Sequence, residues 1–321
     1  MKENNDFKKQ KILKAITTLF IVVLCFFIFD FICYTSDWNN QKKENEKRCS
    51  SPPDFDYTWS LYQNPYKHLT DIELYRKPSN IKSPLEPIYI FGCSFAYGDK
   101  LNDNETFGAK LAEQTGYPVY NFSSIGFGIQ HMLYIMNEQL ISLSQGMGNT
   151  ELKYPRYIIF VYINNHISNM YYDFLNPSNN LRYLKYENKK GKLVLKQNSC
   201  FIFKFYTVRK LQYFFANILS KSKLLQKRNF NLIEQYFITI NESIKQKFPD
   251  TEFIILVYNP TNYDLLYDWT RLNKYGIKTI LTTDLTKEPL GSEEYIFPNS
   301  HPNKKVWELL TPLFIEKADI H

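Results

Sequence analysis

A chain of 321 residues, 44% hydrophobic, 17% aromatic and 22% charged, is long enough to bury a sizeable core and too apolar to be disordered as a whole. The formal net charge of +7 is a diffuse surplus that fits an anionic membrane surface as well as nucleic acid, and it selects neither. A disulfide-stapled miniprotein is excluded by the length alone.

Residues 15–34, AITTLFIVVLCFFIFDFICY, are apolar on every face and are interrupted only by Asp30. A helix of that length crosses a hydrocarbon core of about 30 Å, so the segment is expected to be a single transmembrane helix. The residues around Cys33 to Thr35 match a signal-peptidase site poorly, which favours a retained anchor over a cleaved leader. Lys8, Lys9, Lys11 and Lys14 precede the span and the next basic residue after it is Lys42. That asymmetry puts residues 1–14 in the cytoplasm and the main domain outside it. Residues 35–85 carry charge runs and Pro52, Pro53, Pro65, Pro78 and Pro84 without a sustained period, and read as a membrane-proximal stalk. Cys49 and Cys200 are free to pair in an oxidising compartment or to remain thiols. No C-x-x-C spacing points to a metal.

From residue 86 to the end the pattern is that of a single α/β domain. Ile88 to Gly92 is a short apolar run stopped by glycine, as a buried parallel strand is before a loop. A helix over Glu105 to Gln114 follows, with Asn104 as its cap and Gly116 just beyond its end. Strand 119–122, helix 129–144 and strand 157–163 come next. Period is then lost over an insertion at about 170–230, and it resumes with a helix over 231–247. A strand at 252–258, a short strand near 278–281 and a last helix over 304–317 complete the chain. This alternation predicts a three-layer sandwich with a central, mostly parallel sheet and helices on both faces.

Four fragments at successive strand ends carry the candidate chemistry. Gly92-Cys93-Ser94 places a serine at the carboxyl edge of the first strand, where open α/β sheets bind ligands. Ser123-Ser124-Ile125-Gly126 follows the second strand and offers the Gly126 amide, while Asn164-Asn165-His166 follows the third. Ser300-His301-Pro302-Asn303 immediately precedes the last helix, on a loop able to return a base to the serine. Taken singly, each fragment is also an ordinary turn or helix cap. His166 is the second-ranked histidine, and either a base or a surface residue by its position.

Together and in this order the fragments resemble the SGNH hydrolases, also called GDSL-like lipases and acylhydrolases. The resemblance runs over about residues 87–318. It implies Ser94 as nucleophile, His301 as general base, and an oxyanion hole made by the Ser94 and Gly126 amides with the Asn164 side chain. It requires no metal and no organic cofactor. Cys93 stands where the family has aspartate before the serine, and Tyr162 and Asn165 replace a glycine and an aspartate around Asn164. Pro298 and Asn299 occupy the place of the triad aspartate. Asn299 can orient an imidazole but cannot stabilise imidazolium by charge, which leaves a dyad or a carboxylate borrowed from elsewhere.

The expected function is that of a membrane-anchored, extracytoplasmic serine esterase or acyl-group transferase. Its substrates would be acyl esters of cell-surface glycans or lipids, since those lie outside an anchored domain. A catalytically degenerate module that binds a glycan or an assembly partner is the alternative from another class, and Asn299 favours it. The basic aromatic stretch at 204–228 fits an insertion helix against the core or an anionic membrane better than a nucleic-acid site.

Overall fold

The structure, a computed structural model, describes residues 75–149, 153–163, 166, 185–189, 192–196, 223–258, 267–298 and 301–321, with residues 17, 18, 21, 24–29, 31 and 32 near the N-terminus. Five strands form one sheet: β1 (Ile88–Gly92), β2 (Val119–Asn121), β3 (Tyr157–Tyr162), β6 (Glu252–Val257) and β7 (Ile277–Leu281). Their order is β2-β1-β3-β6-β7. Every pair is parallel, with Ile90 beside Asn121 on one side and Ile159 on the other.

Side chains alternate along each strand, so each strand feeds two cores. Ile88, Ile90, Ile159, Val161, Ile254 and Leu256 face helices α2 (Phe107–Thr115) and α7 (Lys304–Ala318). Phe107 there meets Trp307 at 5.1 Å and Phe314 at 5.5 Å between ring centroids. Tyr89, Phe91, Phe160, Tyr162 and Phe253 face the other layer. That layer holds α3 (Ile129–Tyr134), α5 (Lys223–Lys247) and the 3-10 helix Trp269–Tyr275. Both faces being covered explains why the strands read as unbroken apolar runs. The predicted three-layer sandwich is therefore observed, with a five-stranded sheet that is parallel throughout.

Several boundaries differ from the sequence reading. Helix α2 starts at Phe107, capped by Thr106, whose hydroxyl accepts from the Ala109 N–H at 3.2 Å. Asn104 does not cap it, because residues 103–105 form their own 3-10 turn closed by a reciprocal Asn102 and Glu105 box. The helix predicted over 129–144 is split into α3, a π turn at Ile135–Gln139 and α4 (Leu140–Gly146). The insertion contains an antiparallel hairpin, β4 (Lys185–Lys189) and β5 (Lys192–Lys196), and α5 begins at Lys223 rather than 231. The last part of the expected stalk packs on the domain: Tyr75 is buried against Phe122 and Phe127, and Ser79 bridges to Val119. The domain thus includes residues 75–85.

Near the N-terminus the described residues are helical and Ile21, Leu24, Phe27, Ile28, Phe29 and Phe31 are exposed. No helix among the described residues is long and apolar enough to cross a membrane. Nine of the twenty residues of the expected span at 15–34 lie outside them, as do Cys49, Cys200 and the tail.

His166 lies in the core and not at an open edge, with no exposed surface and its Nδ1 accepting from the Ile163 N–H at 3.3 Å. Burial, with His131 nearby, pushes its pKa down from 6.5 to about 3. The folded state therefore holds this imidazole neutral while the unfolded chain takes up a proton below about pH 6.5. Stability from this group is complete above that pH and falls by about 1.4 kcal/mol per pH unit between there and about pH 3. Urea unfolding at pH 7, 5.5 and 4.5 should show this slope, and His166→Asn should flatten it. An equal slope in both proteins would count against the assignment.

Candidate active site

In a sheet of this order the chain leaves β1 outward to β2 and later returns to β3 on the other side, so the carboxyl ends of β1 and β3 flank the topological switch point. Ser94 stands there, opening the single-turn helix α1 (Ser94–Tyr97). Glycine at 92 allows the close approach: a Cβ there would lie 2.8 Å from Ala96 Cβ and 3.0 Å from the Val161 carbonyl. As the first residue of α1, Ser94 has an amide with no acceptor inside the helix.

His301 arrives from the opposite end of the chain. Its carbonyl accepts from the Phe297 N–H at 2.8 Å, and an isolated bridge joins Ile296 to Pro302. Asn303 then caps α7, its side chain accepting from the Lys305 N–H at 3.0 Å. This loop brings His301 Nε2 to 2.8 Å from Ser94 Oγ. With the ring proton on Nδ1, the Ser94 hydroxyl donates to Nε2, as attack on an acyl carbon requires. The imidazole rests beside Phe95, with ring centroids 5.2 Å apart, and Phe95 in turn meets buried Tyr258 at 5.3 Å.

Two further groups organise the serine block. Arg76 donates to the carbonyls of Tyr97 at 3.1 Å, Gly98 at 2.7 Å and Leu101 at 2.9 Å, and pairs with Asp103 at 2.8 Å. It thereby brackets Asp99, whose Oδ2 is 3.8 Å from His301 Nε2. Buried Asn121 ties two motifs together: its amide donates to the Ala96 carbonyl at 2.8 Å and its oxygen accepts from the Ser123 N–H at 3.0 Å. Asn121→Ala leaves both partners buried and unpaired, at a cost of about 1–3 kcal/mol. Thermal unfolding should show a midpoint several degrees lower, whereas an unchanged midpoint would mean that the brace contributes nothing.

Gly126 sits in a turn closed by the Phe127 N–H donating to Ser124 O at 3.1 Å, with φ 81, a left-handed conformation that glycine adopts without strain. Ile125 at the tip of this turn is 58% exposed. The turn follows β2, the neighbour of β1, and so lies on the same sheet edge as Ser94. Asn164 and Asn299 lie outside the described residues. Cys93 is buried, and burial pushes its thiol up to about 11, so at neutral pH it is protonated and no rival nucleophile. Among the described residues no group of three or more His, Cys, Asp and Glu is placed to hold a metal ion.

Asp99, Arg76 and Asn121 were not singled out from the sequence. Asn121 carried a signal, being a polar residue that ends an otherwise apolar strand. Asp99 lies within the serine block as one more loop residue, and Arg76 sits in the proline-bearing segment before the domain, where nothing in the sequence points to the serine.

No family model matches the chain, and no curated protein matches it. Solved structures to which it is similar include a G-D-S-L family protein from Desulfitobacterium hafniense, at 12% identity and a TM-score of 0.41 over 71% of this chain and 97% of that one. An acetyl xylan esterase from the rumen bacterium Butyrivibrio proteoclasticus shares 14% identity at a TM-score of 0.42, over 74% of this chain and 65% of that one. The chain thus spans just under two thirds of that esterase. A salicylyl-acyltransferase from a tetracycline biosynthetic pathway shares 11% identity at a TM-score of 0.39, over 74% of this chain and 56% of that one. The doubly wound parallel sheet, with a serine at the end of β1 and a histidine before α7 in hydrogen-bond contact with it, is the arrangement that the resemblance to the SGNH hydrolases implies.

Proposed function

We propose that this chain is a serine-dependent esterase or acyl-group transferase, anchored in a membrane by residues 15–34, with its main domain outside the cytoplasm and acting on acyl esters of cell-surface glycans or lipids. The observation that carries the chemistry is the 2.8 Å contact between Ser94 Oγ and His301 Nε2 at the switch point of the sheet. The hydroxyl oxygen attacks the acyl carbon as its proton moves to Nε2, and the carbonyl electron pair moves onto oxygen. The Ser94 and Gly126 amides, with the Asn164 side chain, are the groups assigned to that oxyanion. Collapse of the tetrahedral species breaks the bond to the leaving alcohol, which takes the proton from Nε2. Water or a sugar hydroxyl then accepts the acyl group by the reverse path. Neither metal nor organic cofactor has a part in these steps.

The anchor is supported by the apolar length of residues 15–34, the lysine asymmetry and the exposed Ile21, Leu24, Phe27, Ile28 and Phe29 on described helical residues. Protease added to intact cells should digest the main domain, and full protection would place it inside. For the chemistry, the full-length chain in mild detergent should hydrolyse a short-chain aryl ester or release acetate from acetylated glycans, and Ser94→Ala should not. If the wild type does neither above a buffer blank, the binding module is the better reading, consistent with Pro298 and Asn299 standing where an acid would.

A further inference from the structure

The edge of the sheet where β1, β2 and β3 begin lies at the opposite end of the domain from Ser94. A cleft of about 310 Å³ opens there, with Ile81, Lys82, Pro87, Pro118, Tyr120 and Lys153 in its lining. That volume stands at the lower end of what small-molecule sites enclose. Tyr120 is only 3% exposed, yet it lines the cleft, and its hydroxyl makes no hydrogen bond among the described residues. The Lys153 ammonium is held at the cleft by the carbonyls of Ser83 at 3.5 Å and Pro84 at 3.3 Å. Asn149 fixes the backbone of Lys153, accepting from its N–H at 3.0 Å. Lys82 is exposed and makes no ion pair among the described residues. Glu86 and Glu252 are both drawn to Arg156, Glu252 at 3.7 Å, so among the described residues the two lysines set the charge at the cleft.

Apolar side chains surround this charge. Of the six large hydrophobic residues exposed among the described residues from 75 onward, three belong to this edge: Ile81 at 50%, Leu85 at 42% and Tyr154 at 62%. The bonds from Lys153 to Ser83 and Pro84 hold together the two segments that bear them. Single exposed apolar residues are ordinary, but a cluster of them beside lysines marks a surface that meets something.

We propose that this amino edge is the face on which the domain rests on an anionic membrane surface. A phospholipid headgroup phosphate takes the cleft, beside Lys82 and Lys153 and with a hydrogen bond from the Tyr120 hydroxyl, while Ile81, Leu85 and Tyr154 enter the interface. This rests on the anchor reading above and narrows the substrate. Lysines that reach the phosphate level, a tyrosine and short apolar chains are the composition that a membrane interface favours. The tether alone sets no orientation, since the forty residues 35–74 reach up to about 130 Å when extended.

The consequence falls on the active site. All strands of the sheet are parallel, so they rise from the amino edge to the edge that carries Ser94 and His301. The six residues of β3, at about 3.3 Å each, hold the two edges roughly 20 Å apart. Ester groups of lipids in the same leaflet are then out of reach of Ser94, and acyl esters of glycans that extend from the surface are its substrates.

The test uses the full-length chain in vesicles of phosphatidylcholine alone or with an equal part of phosphatidylglycerol. The photocrosslinker p-benzoylphenylalanine stands in place of Tyr154 in one variant. In another it stands in place of Ile125, at the tip of the turn after β2 on the catalytic edge. Crosslinks to lipid, read by mass spectrometry, are expected at the first position and not at the second. Phosphatidylglycerol should raise the yield at the first by about fivefold or more. Lys82→Glu should return that yield to the level in phosphatidylcholine alone, whereas Lys287→Glu, the same change of charge in the loop that follows β7, should leave it in place. Equal lipid yields at both positions, lipid at the second only, a yield indifferent to phosphatidylglycerol, or a protein adduct in place of lipid at the first would overturn the docking face. Release of the chain from the vesicles by alkaline carbonate would overturn the anchor reading instead, and the crosslinks, formed before that extraction, still decide the face.

Discussion

Ser94→Ala is expected to lower ester hydrolysis by about 10³-fold or more, His301→Ala by a comparable factor, and the double variant no further than either single one. The reason is geometric. Oγ and Nε2 are 2.8 Å apart and act as one unit, so once the base has no proton to take or the hydroxyl has no base, the second substitution removes nothing that still works. Cys93 cannot take over, since its thiol is held protonated in the core. Steady-state rates with an aryl ester, corrected for the buffer blank, check the cycle. Additive losses in the double variant would show that the two groups act separately.

Arg76→Ala should have the next largest effect although the residue touches neither reacting atom. Its guanidinium holds three carbonyls of the loop 97–101 and the carboxylate of Asp103, and it stacks 4.5 Å from the Tyr97 ring centroid. Losing these bonds should cost about 2–3 kcal/mol of stability. Misplacing α1, and with it Ser94, by a fraction of an ångström to one ångström should lower turnover by about 10- to 100-fold. Arg76→Lys should rescue little, because an ammonium point charge cannot span the separate carbonyls that a planar fork reaches. Turnover equal to the wild type in Arg76→Ala, with or without a change in melting temperature, would contradict the clamp.

How far the sequence could be read follows from the range of each interaction. Strand β1, β3 and β6 are short apolar runs buried on both faces, and that local property survives in one dimension, so their positions were legible to within a residue or two. The pairing of Ser94 with His301 was legible for another reason: each stands at the end of its own element, a strand end and a helix start, which a parallel sheet brings to one edge. Asp99, Arg76 and Asn121 act across the fold with no periodic signature. Their partners are mostly backbone carbonyls and amides, which every residue has, so no pairing of side-chain types announces them. The hairpin β4 and β5 was overlooked although the sequence places the glycine-bearing pair Lys190-Gly191 between the paired Lys189 and Lys192. Lysines at both strand ends masked the alternation that marks a strand. The early start of α5 was hidden in a similar way, since the charged residues before 231 interrupt the apolar period without breaking the helix.

The central claim is that Ser94 is a nucleophile activated by His301. Its most direct test is treatment of the full-length chain in mild detergent at neutral pH with a serine-directed phosphonate, followed by peptide mapping by mass spectrometry. The expected result is one adduct, on Ser94, formed at a rate that His301→Ala lowers by about 10²-fold or more and that unfolding abolishes. An unmodified chain, or a label on another residue that persists in Ser94→Ala, would contradict it.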